Sequence, residues 1–247
     1  MPPQDVPVSS VASSFAVIEG LRELGPAGVT ELASHLDRSK SSTYKHLDTL
    51  RRLGYVEKVD GEYALGLEFF RLGYHTRHSR ELYEVSQEPL DDLAVTTGET
   101  VSLIVEEGGE AICLYQATER QVADTEIQEA ERVPLDASVA GRAILAWRPE
   151  DEVTELLDSE SRNGYDRYRE LQSDLRSIRD HHIAIERTDA AAYNGVAVPI
   201  RDVDDYAIGA VMVTGPPTSL SGKRLEEDIS GLLVSAGKGI EVTLAST

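Results

Sequence analysis

The sequence is poor in cysteine and in long apolar runs. Its one cysteine in 247 residues, Cys113, excludes an intramolecular disulfide framework and most cysteine-based metal sites. No run approaches the roughly 18 apolar residues of a membrane span, and residues 1–10 lack the basic and apolar regions of a signal peptide. We therefore expect a soluble, cytoplasmic protein with no membrane partner.

Basic residues are also scarce, with 24 Lys and Arg against 44 Asp and Glu and a net charge of −20. A surface of this sign repels the phosphates of nucleic acid. However, residues 1–80 carry 10 basic and 10 acidic side chains, so the whole excess lies in residues 81–247. An acid-rich surface with only 5 Lys suits a halophilic cytoplasm. There a Debye length of about 3 Å at 1 M salt would screen remote carboxylates from DNA. An acidic protein working at ordinary salt is the alternative.

Motifs of catalysis are missing from the sequence. It contains no nucleophile elbow, no phosphate-binding loop and no dinucleotide fingerprint. His181 and His182 are adjacent, so on a helix they would point about 100° apart and could not easily share a metal ion. We expect no enzyme activity, no bound metal and no cofactor.

Residues 1–66 carry the pattern of a winged helix-turn-helix domain. The apolar stripe of a first helix consists of Val11, Phe15, Ile18 and Leu21. A second helix is expected to have Thr30 as its N-cap, and a third covers residues 40–53 and stops at Gly54. The dipeptide Asp60-Gly61 lies between two short β-patterned runs and predicts a hairpin, the wing.

The third helix has one side for packing and one side suited to DNA. The packing side consists of Thr43, Leu47 and Leu50. Hydroxyls and cations on the opposite side can donate to phosphates and base edges, and Ser41, Ser42 and Lys45 near the helix start are the best candidates. Asp48 on that side would repel phosphate, although it can accept from a cytosine amino group. The predicted DNA-binding set is Ser39, Lys40, Ser41, Ser42, Tyr44, Lys45, Thr49, Arg52 and Lys58.

The remaining sequence predicts helices interleaved with strands. Helices are expected over residues 67–74, 81–97, 139–147, 150–157 and 168–182, and a last one after a Ser221 cap to residue 244. Strands are expected over residues 100–105, 111–115, 183–186, 195–200 and 206–213. Apolar residues on several sides of the 67–74 helix suggest burial by a partner or packing on its own domains. The order favours an antiparallel sheet flanked by helices, an α+β domain of the sensor kind.

Residues 32–73 resemble the DNA-binding domain of the isocitrate-lyase-regulator (IclR) family of transcription factors. The likeness rests on Leu32-Ala33, on Lys40-Ser41-Ser42-Thr43 at the recognition-helix start, on Leu50-Arg51-Arg52-Leu53-Gly54-Tyr55-Val56 and on Gly61-Glu62-Tyr63-Ala64-Leu65-Gly66. Ser39 stands where relatives often have proline, and Tyr44-Lys45 where they often have histidine-arginine. The base preference of relatives therefore does not transfer.

The second part resembles the effector-binding domain of the same family, which is similar to the GAF fold. The matching segments are residues 97–101, 133–143, 196–202 and 213–216. The resemblance implies that a small ligand lies between the sheet and the helix that begins near residue 138. The implied contacts are Ser138, Val139, Ala140, Glu186, Asn194, Gly195 and Val196. A helix start suits a carboxylate or phosphate, and a role for Ser138 as an N-cap alone is the equal alternative. Val139 replaces a glycine and Gly195 a cysteine of some relatives, so pocket shape and ligand identity stay open.

Together these features predict a transcription regulator that senses a small metabolite and controls nearby metabolic genes. Residues 1–66 would be the winged helix-turn-helix, residues 67–84 a helical linker, and residues 85–247 a GAF-like effector-binding and oligomerisation domain. The expected partners are double-stranded operator DNA, a catabolic organic acid or sugar-derived effector, and a second copy in a homodimer or dimer of dimers. The alternative is a sensor or protein-interaction module whose winged helix does not bind DNA, favoured by the neutral charge of residues 1–80. An enzyme of GAF-like fold ranks third.

Overall fold

The computed structural model describes residues 6–118, 127–158, 164–187 and 193–246. The chain forms two compact units, the first ending at Ser79 and the second beginning at Arg80. Residues 1–5, half of the segment tested for a signal peptide, lie outside the described residues. None of the described helices is long and apolar enough to cross a membrane.

Three helices and a two-stranded wing build most of the first unit. Its elements are α1 (Ser9–Leu24), α2 (Val29–His35), α3 (Lys40–Arg52), β1 (Val56–Val59), β2 (Glu62–Leu65) and α4 (Glu68–His78). Leu32 and Leu47 are fully buried and Tyr63 nearly so, which joins the helices to the wing in one core. Asp60 and Gly61 both have positive φ, 52° and 96°, as the type I′ turn of a tight hairpin requires. The winged helix-turn-helix prediction is confirmed.

The inward face of α1 differs from the predicted stripe. Val11 and Phe15 are 52 % and 57 % exposed, so their assignment to the packing side is wrong. The face that packs inward is rotated about the helix axis and includes Val17 and Ser14, whose hydroxyl lies 2.9 Å from Nδ1 of His46. Counting apolar residues misplaced the face because a small polar serine occupies an inward position.

The start of α2 also differs from the prediction. The helix begins at Val29 after Gly28 and has no side-chain cap, so the assignment of Thr30 as its N-cap is wrong. Two backbone hydrogen bonds between Ala27 and Tyr63 of the wing, 2.9 and 3.0 Å long, hold the chain immediately before the helix. Because this tertiary contact sets the turn, α2 starts earlier than local cap preference indicates.

Helices cover both faces of one antiparallel sheet in the second unit. Its helices are α5 (Glu81–Thr97), α6 (Val139–Leu145), α7 (Glu150–Asp158), α8 (Gly164–His181) and α9 (Ser230–Leu244). Its strands are β3 (Thr100–Glu107), β4 (Glu110–Ala117), β5 (Arg132–Pro134), β6 (Ala184–Glu186), β7 (Asn194–Arg201) and β8 (Ala207–Gly215). They pair in the order β5-β4-β3-β8-β7-β6, and each described pairing is antiparallel. The predicted antiparallel sheet flanked by helices is confirmed.

Side chains that alternate along the strands fill two separate cores. Ile104, Ala197 and Met212 pack towards α6, α7 and α8 on one face. Leu103, Val196 and Val211 pack with α5 and α9 on the other. Since strand residues have a period of two, each strand position belongs to one face only. This rule decides below which residues can meet at the start of α6.

Two features of the second unit escaped the sequence prediction. The strand β5 has only three residues, and a single 3-10 turn, Leu135–Ala137, leads from it to α6. The last helix begins after Ser221 as expected, but a π-helical segment, Arg224–Ile229, precedes α9. Neither feature has a length or periodicity that sequence patterns detect.

Candidate functional site

The start of α3 is an exposed, capped helix N-terminus in the first unit. The Ser39 hydroxyl accepts a hydrogen bond from the backbone N–H of Ser42 at 3.2 Å, which caps the helix. Thr43, Leu47 and Leu50 are buried beneath it, so the predicted packing side of α3 is confirmed. The opposite side therefore faces solvent.

The predicted cations and hydroxyls at this start are available to a partner. Lys40, Ser41, Tyr44 and Lys45 are exposed, and Ser42 is half-buried. Among the described residues, no hydrogen bond or ion pair engages the side chains of Lys40, Ser41 and Lys45. These three groups lie within about one and a half helical turns, which brings them to one surface. The arrangement presents two positive charges and a hydroxyl next to free helix N–H groups, a combination suited to phosphate.

Further along α3 the predicted side chains are engaged within the helix. Asp48 accepts from Arg51 at 3.0 Å and from Arg52 at 2.8 Å, and the Thr49 hydroxyl donates to the carbonyl of Lys45 at 2.9 Å. The bond from Arg51, together with the charge of Arg52, holds the pKa of Asp48 below its usual value. Asp48 therefore neutralises this end of the helix and has its acceptors occupied, which leaves little role for it at a cytosine.

The wing contributes one predicted cation. Lys58 of β1 is exposed, and its ammonium lies 4.9 Å from the centre of the Tyr63 ring. Tyr63 is fixed in turn by its two backbone bonds to Ala27. A cation over an aromatic face keeps its charge while its position is restrained. Lys58 can thus reach outward from a wing that is anchored to the helices.

One contact of α3 was not predicted from the sequence. His46, next to Lys45, meets the Ser14 hydroxyl of α1, and this pair ties the two helices together. Burial lowers the pKa of His46, and the charge of Arg38 lowers it further. His46 is therefore neutral near pH 7 and adds geometry, not charge, to the surface. Ser14, a polar residue at an inward position of α1, was the sequence signal that could have indicated this contact.

In the second unit the start of α6 is buried. Ser138 is fully buried and its hydroxyl accepts from the backbone N–H of Gly141 at 2.8 Å, so it is an N-cap. Val139 and Ala140 are fully buried as well and pack in the core between α6 and the sheet. A Cβ added at Gly141 would overlap the carbonyl oxygen of Leu135, so the chain reaches the helix through a very close turn.

The other residues of the predicted effector set lie on opposite faces of the sheet. Glu186 faces α6, where it forms an ion pair with Arg142, and it is paired in register with Gly195. In contrast, Asn194 donates to the carbonyl of Leu220 at 2.7 Å, on the face of α9. Val196 packs on that face too. The structure therefore groups Glu186 and Gly195 with the start of α6 and separates Asn194 and Val196 side chains from it.

Two side chains on the α6 face were not singled out from the sequence. Thr214, which pairs with Gly195, has a buried hydroxyl without a hydrogen-bond partner in the described residues. Arg142 is 14 % exposed and also lies 3.2 Å from Asp174. Together they place a hydroxyl without a described hydrogen-bond partner and a guanidinium in the region where Glu186 and Gly195 face α6. A polar residue at an inward position of the buried strand β8 was the signal for Thr214.

The described residues hold neither a metal-binding cluster nor a reactive thiol. No cluster of three or more His, Cys, Asp or Glu there could hold a metal ion. Cys113 is buried beside the core of α6, and burial raises its pKa to about 12, which leaves the thiol protonated and inert.

Family models match both units of the chain. The model of the IclR helix-turn-helix domain matches residues 10–60, and the model of the bacterial transcriptional regulator IclR C-terminal domain matches residues 74–241. The chain is 31% identical to the probable HTH-type transcriptional regulator ArcR of Halobacterium salinarum, over 96% of this chain and 94% of that protein. It is 28% identical to the transcriptional repressor IclR of Escherichia coli, over 96% of this chain and 90% of that protein.

A solved structure has the same fold along nearly the whole chain. An IclR homologue from Microbacterium hydrocarbonoxydans, complexed with 4-hydroxybenzoate, superposes with a TM-score of 0.78 at 20% identity. The match covers 96% of this chain and all of that one. The predicted architecture, a winged helix-turn-helix followed by an α/β domain, is thus shown by an independent structure, and the relatives named above are transcriptional regulators.

Proposed function

Because the chain belongs to the IclR family of transcriptional regulators, we propose that α3 and the wing bind operator DNA while the start of α6 senses a small anionic metabolite. The observation that carries the DNA half is the group of unengaged side chains Lys40, Ser41 and Lys45 at a capped, exposed helix start. The N-terminal residues of a recognition helix reach base edges, and those nearby reach phosphates. Ser39, Ser42, Tyr44, Thr49, Arg52 and Lys58 are proposed to complete the contact surface.

The effector half rests on the enclosed polar groups on the α6 face of the sheet. The Thr214 hydroxyl and the terminal nitrogens of Arg142 can donate to a carboxylate near Ser138, Val139 and Ala140. Glu186, which now pairs with Arg142, would give way to the ligand or pair with its hydroxyl. A catabolic organic acid or a sugar-derived acid has this chemistry. Gly195 would leave room for it, whereas Asn194 and Val196 act from the other face only through the strand.

A homodimer, or a pair of dimers, is the proposed binding form. Each chain has one recognition helix in its first unit, and operators are read as half-sites about 34 Å apart or a multiple of that. Leu67, Phe70 and Tyr74 on and before α4 are 84 %, 68 % and 51 % exposed, an apolar surface that a second copy would cover. Acting on DNA places the protein in the cytoplasm, where it would control neighbouring metabolic genes.

DNA binding is tested most stringently by varying the salt concentration. The halobacterial relative supports the expectation of a high-salt cytoplasm. Binding of the full-length protein to its own promoter region is measured by anisotropy at 0.1 M and at molar salt. We expect Lys45→Ala to weaken specific binding about tenfold and to reduce the salt slope by about one, since one phosphate contact is lost. Metabolite affinity should not change.

The matched control is Lys223→Ala, which removes an exposed lysine of the second unit and should leave DNA affinity unchanged. Absence of any specific complex at both salt concentrations contradicts the proposal and favours a sensor whose winged helix docks protein. For the effector half, Thr214→Val should weaken binding of the metabolite, whereas the promoter affinity of the metabolite-free protein should be retained. A metabolite response that survives this change would remove Thr214 from the site.

A further inference from the structure

A cavity in the second unit lies at the end of α6 opposite to Ser138. It has a volume of about 370 Å³, within the range of small-ligand sites. Its walls come from the α6–α7 connection, from α8 and from the β7–β8 turn, and include Trp147, Arg148, Arg179, Glu150, Asp204 and Tyr206. We call it the Trp147 cavity. Since α6 has seven residues, the cavity is separated from the proposed effector site by roughly 10 Å of helix.

Several N–H donors in the lining have no acceptor within the described residues. The indole Nε1 of Trp147 and Nε of Arg148 are buried without a hydrogen-bond partner. Arg179 donates from Nε to the carbonyl of Ala146 at 2.7 Å, which fixes its guanidinium, and no described residue accepts from its terminal nitrogens. A buried donor without an acceptor costs about 1–3 kcal/mol. Because the Trp147 and Arg148 nitrogens are closed to solvent, a ligand in the cavity meets the exposed guanidinium of Arg179, whose charge suits a carboxylate.

Carboxylates in the same lining also lack cations. Glu150 and Asp204 are exposed and take part in none of the ion pairs between described residues. Asp205, the third acid of the lining, is paired with Arg201 at 3.0 Å. No described ion pair joins Arg179 to Glu150 or Asp204. The lining of the cavity therefore carries a positive and a negative group that do not neutralise each other. A ligand that carries both charges would satisfy both sides, whereas a simple anion would meet repulsion.

The aromatic walls are held in place before any ligand binds. The Tyr206 hydroxyl donates to Glu152 at 2.5 Å, and the Arg148 guanidinium lies 3.7 Å from its ring centre. Trp147 stacks on His182 at 5.2 Å, with the Arg201 guanidinium 4.1 Å from its ring. Rigid walls reduce the entropy lost on binding, which favours a site that accepts a small molecule in one pose.

We propose that the Trp147 cavity is a second ligand site, which takes a free amino acid. Its carboxylate accepts from the exposed Arg179 guanidinium, its ammonium group pairs with Asp204 and Glu150, and its side chain lies against Tyr206. This site is distinct from the metabolite site at Ser138, so its occupancy does not depend on the identity of that metabolite.

The chain reports on this cavity through its single tryptophan. The full-length protein is titrated with each of the twenty standard amino acids, and with acetate and methylammonium as probes that carry one charge only. We expect at least one amino acid to change Trp147 fluorescence saturably below 1 mM, an affinity typical of small-metabolite sites. Acetate and methylammonium should bind at least tenfold more weakly, because each satisfies only one side of the cavity.

Two variants and one control locate the binding. Arg179→Gln and Asp204→Asn should each weaken the amino acid at least tenfold. Asp204 is exposed and unpaired, so its change should leave the melting temperature unaltered. Arg176→Gln, on the same helix α8 and exposed, should leave binding unchanged.

Three results would overturn the proposal. One is the absence of saturable fluorescence and of binding heat in calorimetry for every amino acid. Another is acetate binding as tightly as the amino acid, which would make this an anion site. The last is binding that survives Arg179→Gln and Asp204→Asn but is lost in Thr214→Val, which would place the amino acid in the effector site.

Discussion

The two units each present a helix that begins with a serine cap, but in opposite surroundings. In the first unit Ser39 caps α3 in contact with solvent, at 3.2 Å from the nitrogen of Ser42. In the second, Ser138 caps α6 in full burial, at 2.8 Å from the nitrogen of Gly141. The same local feature, a serine-capped helix start, is therefore suited to a large partner in the first unit and to a small one in the second. An open helix start can meet a duplex, whereas an enclosed one can meet only a molecule that enters the core.

The two units also use arginine differently. In the first, Arg22, Arg52 and Arg71 pair with acids three or four residues away on their own helix. In the second, Arg148, Arg201 and Arg224 are among the arginines that pair with acids on other elements. Local surface pairs contribute little to stability. Some acids of the second unit are therefore structural, because they join separate elements through these arginines.

The largest expected effect comes from removing a cross-linking arginine. Arg148 has a side chain 7 % exposed and pairs with Glu152 and with Glu106, which is 15 % exposed. Arg148→Met would leave these two carboxylates without a cation in a partly buried environment. We expect a loss of about 3 kcal/mol in the free energy of unfolding, measured in urea by Trp147 fluorescence.

The variant for comparison is Arg52→Met. Arg52 pairs with Asp48 of the same helix, α3, and so forms a purely local ion pair. The substitution should leave amide exchange in α3 nearly unchanged while weakening DNA binding, because Arg52 is exposed beside the recognition surface. If Arg148→Met costs less than 1 kcal/mol, the contrast between cross-linking and local arginines is wrong, since a broken buried pair should exceed that amount.

A smaller effect should come from glycines in the two units. A Cβ at Gly141 in α6 would overlap the Leu135 carbonyl, whereas one at Gly73 in α4 would meet nothing within 4 Å. Gly141→Ala should therefore destabilise by about 2–3 kcal/mol through overpacking. Gly73→Ala should instead stabilise its helix by up to about 1 kcal/mol. Amide exchange by mass spectrometry resolves both helices in the full chain, and equal protection changes would contradict the assigned packing.

The elements that local chemistry specifies were predictable from the sequence. Asp60-Gly61 indicates a hairpin because both residues tolerate the positive φ that the two turn positions require. The polar side of α3 follows from its periodicity alone. By contrast, β5 is three residues long, and it is fixed by pairing with β4. No local pattern of that length distinguishes a strand from a loop.

The effector site was predictable only in part, for a related reason. The family resemblance implied that Ser138 and Glu186 lie in one region, and in the structure both lie on the α6 face. The resemblance could not separate Asn194 and Val196 from Gly195 without the register of β7, which decides the face of each residue. Thr214 was missed as a candidate because the lack of a hydrogen-bond partner for its hydroxyl depends on how the neighbouring strands and α6 pack around it. Such properties belong to tertiary packing.

The smallest expected effect sharpens the contrast between the two caps. Ser138→Ala should cost about 1–2 kcal/mol, because the Gly141 N–H would be left buried without an acceptor. Ser39→Ala should cost about 0.5–1 kcal/mol, since water can replace the lost acceptor. Unfolding in urea followed by Trp147 fluorescence reports on the first, and amide exchange in α3 reports on the second.

Aspartate at the same positions separates burial from capping. Aspartate caps helices as well as serine does, so Ser39→Asp should retain the stability of α3 while its charge weakens DNA binding. Ser138→Asp would bury a carboxylate beside Val139 and Ala140, and it should destabilise the second unit more than Ser138→Ala does. If aspartate were tolerated equally at both positions, the start of α6 would be as open to water as that of α3. The enclosure that restricts its ligand to a small molecule would then be lost as an explanation.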